Sequence, residues 1–428
     1  MKTALVALFI VSLLFAFLIV DLPVSEAADQ TAPQPEWSKT YSRGLNYSVD
    51  GFPVSAEDNG RYAIQTKDGG YVIFAELNDH HYAPHTGGVD NRTTMLIKTD
   101  SLGEVQWEKG NSIITYAYSI VQTKDSGFLL SGYQRLLKLD AEGNVQWSRN
   151  TSGVFHAIQA SDGAYVLAGS TGTSGDVAEL LKMDENGNLL WNITLADSTG
   201  LSNARDVVET NDGTYAVACY GNNAWLAEVD SEGNLLLNQS YPELEGFFSS
   251  IAKTDDGGLI LAGGTYGGGV DGQGLGLLVK FDSQSRIQWH QTYNNPPWSG
   301  YYQGRALASV IQAGDEGYVA VGSVAFVKTD SSGNLLWAEN DFDDGLGDVA
   351  SVTATADGGF AIVGSMNGNV WLAKFAAESS SSSNESSPIS TWLIVAVAAL
   401  LAILIVETTL LVYLKKRKLP NAGVVKNP

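Results

Sequence analysis

The chain has 428 residues and carries 47 acidic against 25 basic side chains, a formal net charge of −22. Residues 28–389 hold 44 of those acids and 19 of those bases, and a field of that sign repels phosphate backbones, which argues against nucleic acid as a partner. The single cysteine, Cys219, excludes an intrachain disulfide framework and sits in the apolar run YAVACY, where it reads as a small buried thiol.

At the N-terminus, Lys2, an apolar run over residues 4–20 and the small residues Ser25 and Ala27 predict a secretory signal peptide over 1–27, with an uncleaved anchor as the alternative. The segment PEWSKTY follows, with the pattern of a lone outer strand ending a repeat. From there to residue 377 one pattern recurs. Turns of the type DGG, each leading into an apolar strand, begin at Thr66, Thr123, Ala160, Thr210, Thr254, Ala313 and Thr355. Downstream of each lies a third strand, with a lysine near its end in six of the seven copies, then in six copies a D-x-x-G-type turn and a last strand: LIKTDSLGEVQW is the first example. The seventh copy breaks off before that second turn.

Glycine supplies the positive φ of such turns, and a leading aspartate bonds back onto the backbone. Units of four short strands, with no helical periodicity over residues 37–377, predict an all-β, seven-bladed β-propeller of four-stranded antiparallel blades over 28–377. The missing last strand requires a substitute, and the segment around Trp37 is the candidate: the N-terminal strand closes the last blade.

Beyond the repeats, residues 378–390 form a Ser-rich stalk without the means to build a core. Residues 391–414 predict one C-terminal transmembrane helix, and the basic tail 415–428, opening on Lys415, Lys416, Arg417 and Lys418, is expected on the cytoplasmic side. The chain is thus expected in the cell membrane as a single-pass protein with its ectodomain outside. Glu407 lies within the span, either as a functional carboxylate or as one that is protonated or snorkels.

The repeat D-G-G-y-x-x-x-G … K-x-D-x-x-G-n-x-x-W resembles those of archaeal and bacterial membrane-anchored surface proteins with propeller repeats, grouped with the quinoprotein-dehydrogenase-like propellers. The resemblance covers about residues 37–375 and implies the fold, since the shared residues are turn and packing residues. Seven blades and one cysteine depart from the eight-bladed rings and vicinal cysteine pair of the dehydrogenases themselves.

In the repeat, the tryptophans Trp37, Trp107, Trp147, Trp191, Trp289 and Trp337 read as wedges between blades, and the third-strand lysines as structural partners, because the fourth copy carries Glu228 instead. The turn aspartates lack the oxygen ladder of a calcium loop. Antiparallel order puts all tight turns on one face and all irregular insertions on the other, so binding residues are expected among the insertions. The insertion at residues 78–91 holds His80, His81 and His85 with Asp79 and Asp90, a set suited to a divalent metal such as zinc or to plain solvation. Trp298, Tyr301, Tyr302 and Arg305 share a second insertion and suit glycan or protein recognition, with loop packing as the alternative. A third, at residues 339–348, groups Glu339, Asp341, Asp343, Asp344 and Asp348. N-glycosylation sequons fall at Asn46, Asn91, Asn150, Asn192, Asn238 and Asn384.

No nucleophile elbow, zinc-protease motif or nucleotide loop is present. The expected function is therefore a non-enzymatic recognition or cell-envelope module acting through its loop face, without a cofactor beyond that possible metal. An extracytoplasmic hydrolase or quinoprotein-like oxidoreductase using the propeller funnel is the alternative.

Overall fold

The computed structural model describes residues 32–377, apart from 43–47, 50, 51, 54, 82–88, 112, 172–176, 196–201, 269–273, 294–305, 323, 324 and 340–345. Contacts divide the chain into a unit Met1–Glu378 and a unit Ser379–Pro428, and the second lies wholly outside the described residues. So do the segments expected as signal peptide, stalk, membrane span and basic tail. Among the described residues no helix is long and apolar enough to cross a membrane.

Seven four-stranded antiparallel sheets follow one another along the chain. Blade 1 comprises Ser55–Gln65, Tyr71–His81, Val89–Thr99 and Val105–Asn111. The innermost strands of blades 2–7 are Ala117–Gln122, Gly153–Gln159, Asn203–Glu209, Gly246–Lys253, Leu307–Gln312 and Leu346–Ala354. Each innermost strand lies against that of the next blade, and the seventh lies against the first. The ring is closed. Blade 7 supplies three strands of its own, and Trp37–Tyr41 pairs antiparallel with Asn369–Phe375 as the fourth, Trp37 opposite Lys374 and Tyr41 opposite Val370. Trp371 Nε1 donates to Ser38 Oγ at 2.7 Å across this seam.

There is no single core. Seven apolar clusters fill the seven interfaces between neighbouring blades. Second strands such as Tyr165–Thr171 pack on both faces, which is why they are near-continuous apolar runs, whereas fourth strands such as Leu189–Leu195 alternate toward solvent. Cys219 is fully buried in one such second strand.

The repeated residues are the joinery. The outer tryptophans are half-buried caps rather than wholly buried wedges, Trp337 excepted. Each of five sits on the turn glycine of the following blade, where a Cβ would fall 2.7–3.0 Å from the indole: Trp37 on Gly103, Trp107 on Gly143, Trp147 on Gly187, Trp191 on Gly233, Trp289 on Gly333. Where the tryptophan is missing, at Leu237, the following turn carries Ser285 in place of glycine, at φ 56°.

The third-strand lysines are buried and reach the aspartate of the DGG turn, as in Lys138–Asp125 at 2.7 Å and Lys328–Asp315 at 2.6 Å. The same ammonium also donates to a backbone carbonyl, for example Lys280 to Phe281 at 2.8 Å. That cradle explains the second glycine of the motif, because a Cβ at Gly258 would fall 2.5 Å from Lys280 Nζ. Blade 3 has Ala164 there, and its Lys182 instead reaches Ser231 O at 3.3 Å; blade 4 has Thr214 and no lysine at all. Blade 3 thus keeps its lysine, still 2.7 Å from Asp162, beside the small Cβ of Ala164, whereas blade 4 has lost glycine and lysine alike.

Candidate channel-mouth site on the loop face

Every innermost strand carries a β-bulge at one equivalent place, for example between Gly60 and Tyr62, and between Ala204 and Asp206. The seven extra residues are Arg61, Tyr118, Phe155, Arg205, Ser249, Ala308 and Ala350. A bulge re-aims its side chain out of the ladder, and here each lies toward the start of a strand that enters from the loop face. Blades 1–4 thus put large residues at the mouth of the central channel, and blades 5–7 put small ones there.

The large residues make a continuous arc. Tyr116 stacks on Tyr118 at 6.5 Å between centroids, and Tyr118 leans on Phe155 at 5.4 Å. The Arg205 guanidinium lies 4.6 Å from the Phe155 ring centroid and 5.1 Å from that of Tyr220. Tyr220 meets Phe247 at 4.8 Å, and Phe247 meets Tyr266 at 5.5 Å. At the other end Arg92 lies 5.1 Å over Tyr116, beside Tyr133. Tyr133 and Tyr266 are 42% and 49% exposed, so the arc opens to solvent at both ends. Half-buried among aromatics, Arg205 has no carboxylate partner among the described residues, and burial lowers its pKa, with Tyr220 and Tyr118 working in the opposite direction. Arg61, by contrast, is paired with Glu76 at 3.0 Å.

One residue further along, the same strands stitch the ring together. Ser119 Oγ accepts from Ala157 N–H at 3.1 Å, Asp206 Oδ2 from Ile251 N–H at 2.9 Å, and Ser309 Oγ from Val352 N–H at 3.3 Å, each in the next blade. His156 Nδ1 stands 2.6 Å from Asp206 Oδ1. Burial alone would push the imidazole down, but the Asp206 carboxylate outweighs it and leaves the His156 pKa raised. Burial likewise opposes ionisation of Asp206, and His156, the Ile251 N–H and the Ser250 hydroxyl bring its pKa below the ordinary value. Tyr62, 5.9 Å from the imidazole, is held protonated far above its usual range by burial and by the Asp206 charge. This is a locked ion pair that joins blades.

The residues singled out in the sequence fare differently. Trp298, Tyr301, Tyr302, Arg305 and His85 lie outside the described residues, as do Asn46 and Asn384. The supposed loop around the histidines is in part strand: Tyr71–His81 and Val89–Thr99 pair to their ends, with His80 opposite Asp90 and Asp79 opposite Asn91. Among the described residues no group of three or more His, Cys, Asp or Glu suits a metal ion. In the acidic insertion, Glu339 ends one strand and Asp348 belongs to the next, while Asp341, Asp343 and Asp344 lie outside the described residues. Asn150, Asn192 and Asn238 are exposed on fourth strands, and Asn192 Nδ2 already donates to Glu179 at 3.2 Å.

The channel-mouth residues were missed, although a signal exists. All seven bulge residues stand seven positions before the aspartate of the DGG turn, a column reading Arg, Tyr, Phe, Arg, Ser, Ala, Ala.

Fold and site together define a seven-bladed propeller with an asymmetric aromatic–arginine rim. No family model matches the chain, and no curated protein does. Among solved structures it is similar to the WD40 domain of Neurospora crassa Pan2, with a TM-score of 0.51 at 11% identity over 76% of this chain and 90% of that one. A protein of unknown function from Bacteroides caccae gives 0.42 at 18% identity over 67% and 94%, and BamB from Moraxella catarrhalis 0.46 at 13% over 80% and 99%. Likeness at such identities speaks for the fold alone.

Proposed function

We propose that the chain is a membrane-anchored, cell-surface recognition or envelope module that engages its ligand at the channel mouth on the loop face. The observation that carries this reading is the continuous arc from Arg92 to Tyr266, built by the five consecutive blades 1 to 5. Half-exposed aromatics with few rotatable bonds bury area at low entropic cost, which is the usual composition of a recognition surface. The last described residue, Ala377, follows a strand that ends at the tight-turn face, since Phe375 pairs with Phe360 beside the DGG turn. The insertion holding Trp298, Tyr301, Tyr302 and Arg305 connects blades 5 and 6 on the loop face and would extend the surface. A divalent metal at His80, His81, His85, Asp79 and Asp90 would stiffen the blade 1 hairpin that borders it.

The test is retention of the full-length chain on isolated cell-envelope material. Tyr220→Ala and Tyr266→Ala are expected to lower retention severalfold, while Leu189→Ala, exposed on a fourth strand, leaves it unchanged. Equal retention of all three would remove the channel mouth from the reading.

A further inference from the structure

We infer that the channel mouth reads a carboxylate on a sugar ring, so that its ligand is an acidic oligosaccharide of the uronic-acid class; this rests on the recognition reading above and narrows it. The first ground is Arg205. The Phe155 and Tyr220 rings lie 4.6 and 5.1 Å from the guanidinium and hold it by cation–π contact, and among the described residues no carboxylate takes its planar fork of donors, which suits a bidentate acceptor. A half-buried cation without a counter-ion is costly, and a carboxylate arriving at its edge relieves that cost. The neighbouring cations are not equivalent: Arg61 is already committed to Glu76, and Arg286 pairs with Asp282 on the tight-turn face.

The second ground is spacing. Beyond the two rings that hold the guanidinium, Tyr118 lies 5.4 Å from Phe155 and Phe247 lies 4.8 Å from Tyr220, so an anion at Arg205 is flanked by aromatic surface on either hand. A uronic acid carries both complements in one unit, an apolar C–H face for an aromatic platform and a carboxylate on the ring edge. Along the arc the pattern returns, with Arg92 over Tyr116 at 5.1 Å, so a chain of such sugars would meet a second cation beyond Tyr118.

The long-range electrostatic setting works against the ligand: residues 28–389 carry 25 more negative than positive charges, so affinity has to come from the local cations Arg205 and Arg92.

Titration calorimetry of the full-length chain in detergent micelles tests this with three probes: trigalacturonate, the neutral galactose trisaccharide and a glutamate-rich peptide. Trigalacturonate is expected to bind about 10- to 100-fold tighter than the neutral trisaccharide, the range for hydrogen bonds to a charged group. Arg205→Gln should erase that preference and Arg205→Lys should not restore it, because a lysine lacks the planar fork. Should Arg205→Gln fail to fold, Tyr266→Ala, at an exposed site, is expected to weaken both sugars alike. Equal binding of acidic and neutral sugars, tighter binding of the peptide, or an unchanged preference in Arg205→Gln would each overturn the inference. If no sugar binds while envelope material is still retained through Tyr220 and Tyr266, the ligand class falls and the recognition reading stands. If retention is also insensitive to those residues, both fall.

Discussion

Trp191 and Gly233 show how one residue type dictates another in the next blade. The indole lies flat on a turn that has no Cβ and donates to Ser231 O at 3.0 Å, so the outer edges of blades 3 and 4 are pinned by one side chain. At the next interface, Leu237 faces Ser285, which holds φ 56°, a region where a Cβ costs about 1 kcal/mol. The two departures from the repeat compensate each other. Leu237→Trp alone should lower stability, because the indole would collide with the Ser285 Cβ. Ser285→Gly alone should be near neutral, gaining relief at φ and losing the hydrogen bond that Ser285 Oγ donates to Glu228. Together they should stabilise, with a coupling of about 1–2 kcal/mol in a double-mutant cycle read by urea unfolding. Strict additivity would show that the two positions do not meet as described. Blade 4 likewise lacks both the lysine and the second glycine of the DGG turn, where Thr214 and Glu228 stand.

At the scale of the element, the innermost strand does two jobs through one irregularity. Its bulge turns one residue toward the mouth, and the residue after it binds the neighbouring blade. His156 and Asp206 are the strongest of these links, since Asp206 also accepts from Ile251 N–H in blade 5. The raised His156 pKa means this link contributes fully below about pH 6.5 and weakens as pH rises through the folded-state value. The lowered Asp206 pKa means its contribution is present above about pH 3.8 and is lost as pH falls below it. The link is therefore strongest between those limits. His156→Gln should cost about 3–5 kcal/mol near pH 6, because it strands a buried carboxylate. That cost should shrink toward pH 9 as the wild-type imidazole loses its charge, which thermal unfolding followed by circular dichroism across pH would reveal. A cost independent of pH would mean that the pair is neutral throughout. On the tight-turn side, Asp256 and Asp357 are held at about 2, where burial works against the Thr and Lys hydrogen bonds that prevail. Both are half-exposed, so they add only modestly to the acid limb.

At the scale of the whole molecule, stability depends on closure. Because each apolar cluster belongs to two blades, a gap at one interface exposes two blade faces at once. Trp37–Tyr41 spans that gap: it pairs with Asn369–Phe375, caps Gly103 through Trp37, and bonds Gly103 O through Tyr41 Oη at 2.9 Å. Gln65 Oε1 adds a link across the seam by accepting from Ala356 N–H at 2.7 Å. Deleting residues 32–41 should lower the Tm by at least about 10 °C and broaden or split the calorimetric transition, since several kcal/mol of packing is lost at one edge. An unchanged single transition would show that the ring closes without this strand.

Much of this architecture is legible in the sequence because propeller repeats are local: a DGG turn needs only its own glycine and aspartate, and the closing strand betrays itself by the pattern around Trp37. The blade count, the closure and the two faces all follow from such short-range chemistry. The rim does not. Tyr118, Phe155 and Arg205 hold one column of the repeat but are separated by tens of residues, and they become neighbours only where inner strands converge on the axis. Pairing likewise decides how far the blade 1 hairpin runs, since Tyr71–His81 and Val89–Thr99 pair to their ends and take part of the histidine insertion into strand. Turns are decided within a few residues, and so the sequence by itself determined the ring. Sites at its centre are decided by which blades face one another, and only the tertiary structure could place Arg205 between Phe155 and Tyr220.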